Sequence, residues 1–287
     1  MNLGPMEIYD GDTILYRGCF ATEKRKYVAA CADGSSMAFE NKKDYNSWAK
    51  ANPMPHEMWE DHQVEPVENA IHIVKQIIEG CHSAIGGLEQ RFLLSGKNNF
   101  RYKIATIKPY KGNRDPAHKP VHLQEVREWA IKYLGAEVID GKEADDGVGI
   151  LATNAARGVC IISNDKDLSQ LPGRHFNFVT KEAFDVTKRQ AGLYFFQQLI
   201  SGDATDNIPG IEGIGYAGAI KILAGCSGVR EAETRVLQEY RRRYGVPEGD
   251  RRFLETGRLV KIHTSPDEIN NLWYPKYVEL DASLQVG

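Results

Sequence analysis

Nine acids in this chain fall into four clusters: Asp10 and Asp12 in "YDGD", Glu143, Asp145 and Asp146 in "EADD", Asp165 and Asp167 in "SNDKDL", and Asp203 and Asp206 in "SGDATDNIPG". The first three clusters follow predicted strands and the fourth follows a predicted helix. In parallel α/β sheets, ligand sites form at the carboxyl ends of the strands. Nine carboxylates brought together there repel one another unless they are protonated or bound to cations. Oxygen donors without His or Cys select Mg²⁺ or Mn²⁺ over zinc. Two such ions about 4 Å apart can activate a water and stabilise the leaving oxygen of a phosphodiester. Singly, each acid has a plainer reading. Asp145 or Asp146 can serve a helix N-terminus, Asp10-Gly11-Asp12 can be a turn, and "NDKD" can be an N-cap. Four clusters at positions expected to meet in space favour a metal site.

The elements that must position these acids are legible in outline. "MEIYD", "RFLL" (91–94), "AEVI" (136–139), "VCIIS" (159–163) and "HFNFV" (175–179) read as strands. Residues 65–82, 121–134 and 144–157 have helical periodicity, with Gly135 closing the second. This alternation predicts a mostly parallel sheet flanked by helices. After residue 188 the strand signal fades and helices follow. Two units are expected: 1–188, an α/β catalytic domain, and 189–287, a helical region. Residues 24–64 look like an insertion, with a hairpin around Asp33-Gly34 and a loop over 49–64.

Composition is that of a soluble globular chain of 287 residues, 42% hydrophobic and 26% charged. No apolar run reaches membrane-spanning length, and the N-terminus lacks the regions of a signal peptide, so a cytoplasmic location is expected. Five scattered cysteines without a CxxC argue against a disulfide framework or a structural zinc site. Net charge is −3, but residues 97–122 carry seven Lys/Arg against Asp115 alone. Basic stretches beside carboxylate clusters suit a polyanionic ligand held next to cations. In "GIEGIGYAGAIKIL", Gly210, Gly213 and Gly215 allow close backbone approach to a phosphate, and the helix from Tyr216 can offer its N–H groups.

"YDGD", "PYKGNRD", "EADD", "SNDKDL" and "GDATDNIPGIEGIG" occur in the order found in the flap endonuclease family. The chain resembles most its phage 5′–3′ exonucleases and, more distantly, the 5′-nuclease domain of bacterial DNA polymerase. The likeness runs from about residue 6 to residue 225. It implies a 5′-nuclease (PIN-like) fold with a helical arch and a helix–turn–helix DNA clamp at 207–225. It assigns Asp10, Glu143, Asp145 and Asp146 to a first metal, and Asp165, Asp167, Asp203 and Asp206 to a second. Lys111 and Arg114 are implied at the scissile phosphate, Arg17 on another phosphate, and Tyr110 stacked on the terminal base. Gly210, Gly213, Gly215 and Lys221 are the implied DNA contacts, with a K⁺ ion held by carbonyls at Gly210 and Gly213.

The chain departs from the family pattern in two places. Where the family has an aspartate ending its second strand, this sequence has Ser95 and Gly96. Asp12 is the expected replacement, since two residues apart in an extended chain both side chains face one way. The arch segment, 109–125, is short and interrupted by prolines. That favours exonucleolytic attack on duplex 5′ ends over threading of flaps. The expected activity is a Mg²⁺-dependent 5′–3′ exonuclease on DNA, monomeric, with 5′-flaps and RNA–DNA hybrids as further substrates. Two alternatives remain: a DNA-binding protein of weak or lost catalysis, and a ribonuclease of PIN type, against which the glycine-rich clamp counts.

Overall fold

A computed structural model describes residues 5–53, 56–115, 118–156 and 158–284. Its centre is a six-stranded sheet of β1 (Met6–Asp10), β5 (Glu89–Ser95), β6 (Glu137–Ile139), β7 (Val159–Ile162), β8 (Gly173–Asn177) and β9 (Glu182–Val186). The order is β6-β5-β1-β7-β8-β9, and only β9 is antiparallel. β1 lies in the middle and is buried from Glu7 onward, as a strand covered on both faces must be. On one face Tyr9, Phe92, Leu94 and Ile162 pack with α1 (Gly11–Phe20), α3 (Val67–Ile85) and α5 (Leu123–Trp129). On the other, Ile8, Leu93 and Ile161 pack with α6 (Ala144–Asn154) and with Ile262.

The chain leaves β1 toward β5 and β6, then returns to the other side of β1 for β7 and β8. The sheet order therefore reverses at β1, and a crevice opens at the carboxyl end of that strand. Gly11 lets α1 begin directly there: a Cβ on it would lie 2.3 Å from Phe92 and 2.5 Å from the Leu93 carbonyl.

The inserted segment is more ordered than its sequence suggests. β2 (Glu23–Cys31) and β3 (Ser36–Phe39) form the expected hairpin around Gly34. Residues 49–64 are not a loop. They contain the end of α2 (Lys42–Ala51) and β4 (His56–Val64), which pairs with β2 along nine residues. Residues 54 and 55 lie outside the described set. β9 is a further strand with no clear sequence signal.

The C-terminal part is helical, with α7 (Lys188–Ser201), α8 (Tyr216–Leu223), α9 (Val229–Tyr244) and α10 (Glu248–Val260) around Phe195, Leu199, Val236, Tyr240 and Phe253. Between α7 and α8 lies a two-residue ladder of β10 (Gly202–Asp203) and β11 (Ile208–Pro209). One single-turn helix, α4 (Arg101–Ile104), interrupts the basic segment. Among the described residues of 109–122 no α-helix forms; the short segment is built of turns. Also among the described residues, no helix is long and apolar enough to cross a membrane.

Candidate active site

A cleft of about 1000 Å³ opens at the carboxyl end of β1, and eight of the nine acids line it: Asp10, Asp12, Glu143, Asp145, Asp165, Asp167, Asp203 and Asp206. Lys111, Arg114, Arg127, Tyr16 and Tyr102 share its walls. Asp10 ends β1 and caps α1. Its carboxylate accepts from the Thr13 hydroxyl at 2.9 Å and from the Ser163 hydroxyl at 2.7 Å. Asp165 caps the 3₁₀ turn Lys166–Gln170 and accepts from the Asp167 N–H at 2.8 Å.

Four acids of the cleft hold their protons more tightly than free carboxylates do. Burial, then the charges of Asp12 and Asp165, push Asp10 up to about 7 despite its two hydroxyl donors. Asp167 is likewise pushed up to about 7 by burial and by Asp165 and Asp203. Asp145 is raised well above the carboxylate range by burial and by Asp10, Asp165 and Glu143. Asp165 is raised by burial, with Asp203 and Asp206 adding to it.

Glu143 and Asp206 are held differently. Lys111 Nζ donates to Glu143 and lies 3.5 Å from Asp206; Arg114 pairs with Asp206. Burial works against the Lys111 charge, but those two carboxylates raise its pKa, so it stays an ammonium. The Tyr110 hydroxyl oxygen lies 2.8 Å from Glu143 and 2.7 Å from Asp206, so its one proton is shared between the two acids.

Five of the expected residues lie outside the cleft or are engaged by other groups of the fold. Asp146 is not in the cleft. It is fully buried, and the Arg101 guanidinium forks onto its two oxygens at 2.6 and 2.9 Å. The N–H groups of His263 and Glu143 complete its shell at 3.0 and 3.1 Å. Burial alone would raise its pKa; Arg101 overcomes that and brings it to about 2. Both of its oxygens are thus engaged by donors of the fold. Tyr110 cannot stack on a base, being 3% exposed with its ring in the core of the helical region. Tyr102, 59% exposed, is the open ring beside it, edge-on at 5.3 Å.

Asp12 is not extended beyond Asp10; it lies in the first turn of α1. Its oxygens accept from the Ser95 N–H at 2.9 Å and from Arg127 at 3.1 Å. Arg17 is exposed two turns along α1 and is not among the residues lining the cleft. Gly210 uses its missing side chain inward: a Cβ would lie 2.3 Å from the Gly202 nitrogen and the Ile200 carbonyl. Gly213 and Gly215 are exposed just before α8, and Lys221 is exposed in its last turn.

The donor chemistry of the acid clusters suits divalent cations: they are carboxylates, several of them held above their ordinary pKa by burial and mutual repulsion. Among the described residues, no three His, Cys, Asp or Glu side chains close tightly enough to enclose an ion. The carboxylates therefore face one cleft without forming a finished shell. Sequence reasoning missed Arg101, Arg127, Ser163 and Tyr102. All but Ser163 lie in basic stretches or amphipathic helices that give no sign of which cation turns inward.

A model described as the N-terminal resolvase-like domain of 5′-3′ exonucleases matches residues 6–194. DNA polymerase I of Pseudomonas aeruginosa is 34% identical over 134 residues, 42% of this chain and 15% of the polymerase. A 5′-3′ exonuclease of Buchnera aphidicola subsp. Schizaphis graminum is 33% identical over 154 residues, 47% of this chain and 52% of that protein. The chain thus spans at most about half the length of these two relatives. Among solved structures, a bacteriophage T5 flap endonuclease, in a pseudo-enzyme-product complex with DNA and metal ions, aligns at a TM-score of 0.58. It has 18% identity, and the match covers 90% of this chain and 89% of its own.

Proposed function

The chain belongs to the 5′-3′ exonuclease family, and from that premise we propose that it is a Mg²⁺-dependent nuclease that hydrolyses DNA from 5′ ends. One observation carries the reading: eight carboxylates from separate parts of the chain line one cleft, together with Lys111 and Arg114. Asp10, Glu143 and Asp145 on one side, and Asp165, Asp167, Asp203 and Asp206 on the other, would hold two Mg²⁺ ions, or Mn²⁺ in their place, supplying charge neutralisation and an activated water. The bacteriophage T5 neighbour was solved with DNA and metal ions, which supports both the cofactor and the substrate.

The chain's own cations do the rest. A phosphodiester entering the cleft competes with Glu143 and Asp206 for Lys111 and Arg114. Each carboxylate it displaces becomes a further oxygen donor. Lys111, ammonium at any working pH, then stabilises the negative charge that develops on the scissile phosphate. Tyr110 holds Glu143 and Asp206 in register from below. Hydrolysis leaves a 5′-phosphate and needs no covalent enzyme intermediate. The exposed turn at Gly213 and Gly215, with Lys221 on α8, would grip duplex backbone, and its carbonyls would hold a K⁺ ion. The short segment 109–125 favours exonuclease action on duplex ends over flap threading, with RNA–DNA hybrids as a further substrate. The division of labour at residue 188, a monomeric state and a cytoplasmic location belong to the same reading.

The test uses 5′-labelled blunt duplex, 5′-flap DNA and an RNA–DNA hybrid, with Mg²⁺ or EDTA, beside Asp165→Ala. Mg²⁺-dependent 5′ products, absent in the variant, are expected, with mononucleotides from duplex. Metal-dependent binding without cleavage would replace this reading with a catalytically silent DNA-binding protein.

A further inference from the structure

Resting on the nuclease reading above, we propose that Arg127 is a phosphate-binding residue of the cleft and that Asp12 is its positioning partner rather than a metal ligand. Three elements meet at this point: the first turn of α1, the last residue of β5, and α5. One guanidinium nitrogen of Arg127 donates to Asp12 Oδ1 at 3.1 Å, and the other terminal nitrogen donates to the Ser95 carbonyl. The Ser95 N–H returns to Asp12 Oδ2 at 2.9 Å. The result is a closed ring of three hydrogen bonds. It engages both Asp12 oxygens and fixes the plane of the guanidinium against the backbone of a core strand.

The ring uses two of the five N–H donors of Arg127, and three remain. The Arg127 side chain is 22% exposed, and the residue lines the cleft with Gln124 one helical turn before it. Among the described residues, the ion pairs of Arg127 involve Asp12 alone. A single carboxylate partly satisfies a guanidinium whose planar fork matches a phosphate. In a cleft lined by nine acids, Asp115 included, a rigid cation with free donors gives an incoming strand a fixed phosphate contact. Asp12 orients the fork and keeps it from folding onto Asp10.

The inference is tested with a fluorescein-labelled duplex bearing a 5′ overhang. Binding is read by anisotropy in Ca²⁺ across a KCl series, and KM and kcat are read in Mg²⁺. Arg127→Ala is expected to weaken binding about tenfold and to reduce the slope of log Kd against log salt by about 1. KM should rise more than kcat falls. Arg127→Lys, which keeps the charge, restores the slope while losing part of the affinity. Asp12→Asn should raise KM without changing the Mg²⁺ concentration for half-maximal rate, and its effect should vanish in the Arg127→Ala background.

An unchanged salt slope in Arg127→Ala, with wild-type cleavage intact, overturns the inference and leaves the nuclease reading standing. So does a shifted Mg²⁺ requirement in Asp12→Asn, which would make Asp12 a metal ligand and Arg127 its counter-ion. A wild-type protein that neither binds nor cuts overturns the nuclease reading and this inference with it.

Discussion

Glu7 and Asp10 stand three residues apart on β1, both buried, and are held in opposite ways. Glu7 lies toward the start of the strand. Its carboxylate accepts from the Tyr9 hydroxyl at 2.7 Å, the Gly87 N–H at 2.8 Å, Gln90 Nε2 at 2.9 Å and the His82 ring at 3.0 Å. Burial alone would raise its pKa, but those donors together bring it below the ordinary value. Asp10, at the other end, has two hydroxyls and faces other carboxylates, and it is pushed up to about 7. The neighbours Asp145 and Asp146 repeat the contrast, one raised and one lowered. A buried carboxylate with a full set of donors builds the fold. One left short of donors among like charges awaits a cation.

The largest effect should separate these classes most cleanly. Asp10→Asn keeps acceptors for Ser163 and Thr13 but removes the charge. Cleavage of 5′-labelled duplex is expected to fall by about 10³-fold or more, the loss of several kcal/mol of charge stabilisation. Its metal-free melting temperature should hold or rise. A melting temperature that drops sharply instead would erase the distinction between the two ends of β1.

Arg101→Ala attacks the structural class. It leaves Asp146 buried and charged without its fork, which costs about 3–5 kcal/mol. Denaturant unfolding is the measurement, and Asp146→Ala in the same background should recover part of the loss. A cost below about 1 kcal/mol would mean that Asp146 relaxes into the cleft and belongs with the ligands after all.

The pH dependence of stability follows with smaller amplitude. Asp10 and Asp167 keep their protons up to about 7, whereas an unfolded chain releases them near 3.9. Between those values the folded state binds more protons, so stability falls as pH rises from about 4 to 7. Asp146, at about 2, and Glu7, also lowered, act in reverse. Their contribution is complete above about pH 5 and is lost as pH falls through the folded values. The metal-free melting temperature should therefore peak near about pH 4–5 and decline through about pH 7. Mg²⁺ should restore the loss at about pH 7–8 and do little below about pH 5. A metal-free curve that climbs steadily from about pH 4 to 8 would contradict the raised set.

The core strands were legible because each is a short apolar run with acids or glycine after it, and their order in the chain implied the crevice. What was not legible depended on distant parts of the chain. Adjacent helical residues point about 100° apart, so Asp145 and Asp146 face different surroundings. Nothing near them reveals that Arg101, 45 residues earlier, comes to meet the second. Tyr110, between Pro109 and Lys111, is expected from the family resemblance to stack on a terminal base. It is buried because α7, α9 and α10 close over it, a packing decided by residues far along the chain. "HEMWEDHQV" has too many charges to look like a strand, yet β2 pairs with its whole length.

Ser163 offers the finest test of the comparison, because it joins two of the acid clusters. Its hydroxyl donates to Asp10 at 2.7 Å and accepts from the Asp165 N–H at 2.9 Å. That donated bond lowers the proton affinity of Asp10, though burial outweighs it. Ser163→Ala should therefore raise the Asp10 pKa further and move the acid limb of the pH–rate profile upward by less than about one unit. The rate near about pH 6.5 should fall several-fold, while the rate at about pH 8.5 stays close to wild type. Raising Mg²⁺ should pull the limb back down, since a cation and a proton compete for the same oxygens. A loss that is equal at every pH would mean that Ser163 acts by placing the Asp165 turn, not by setting the charge on Asp10.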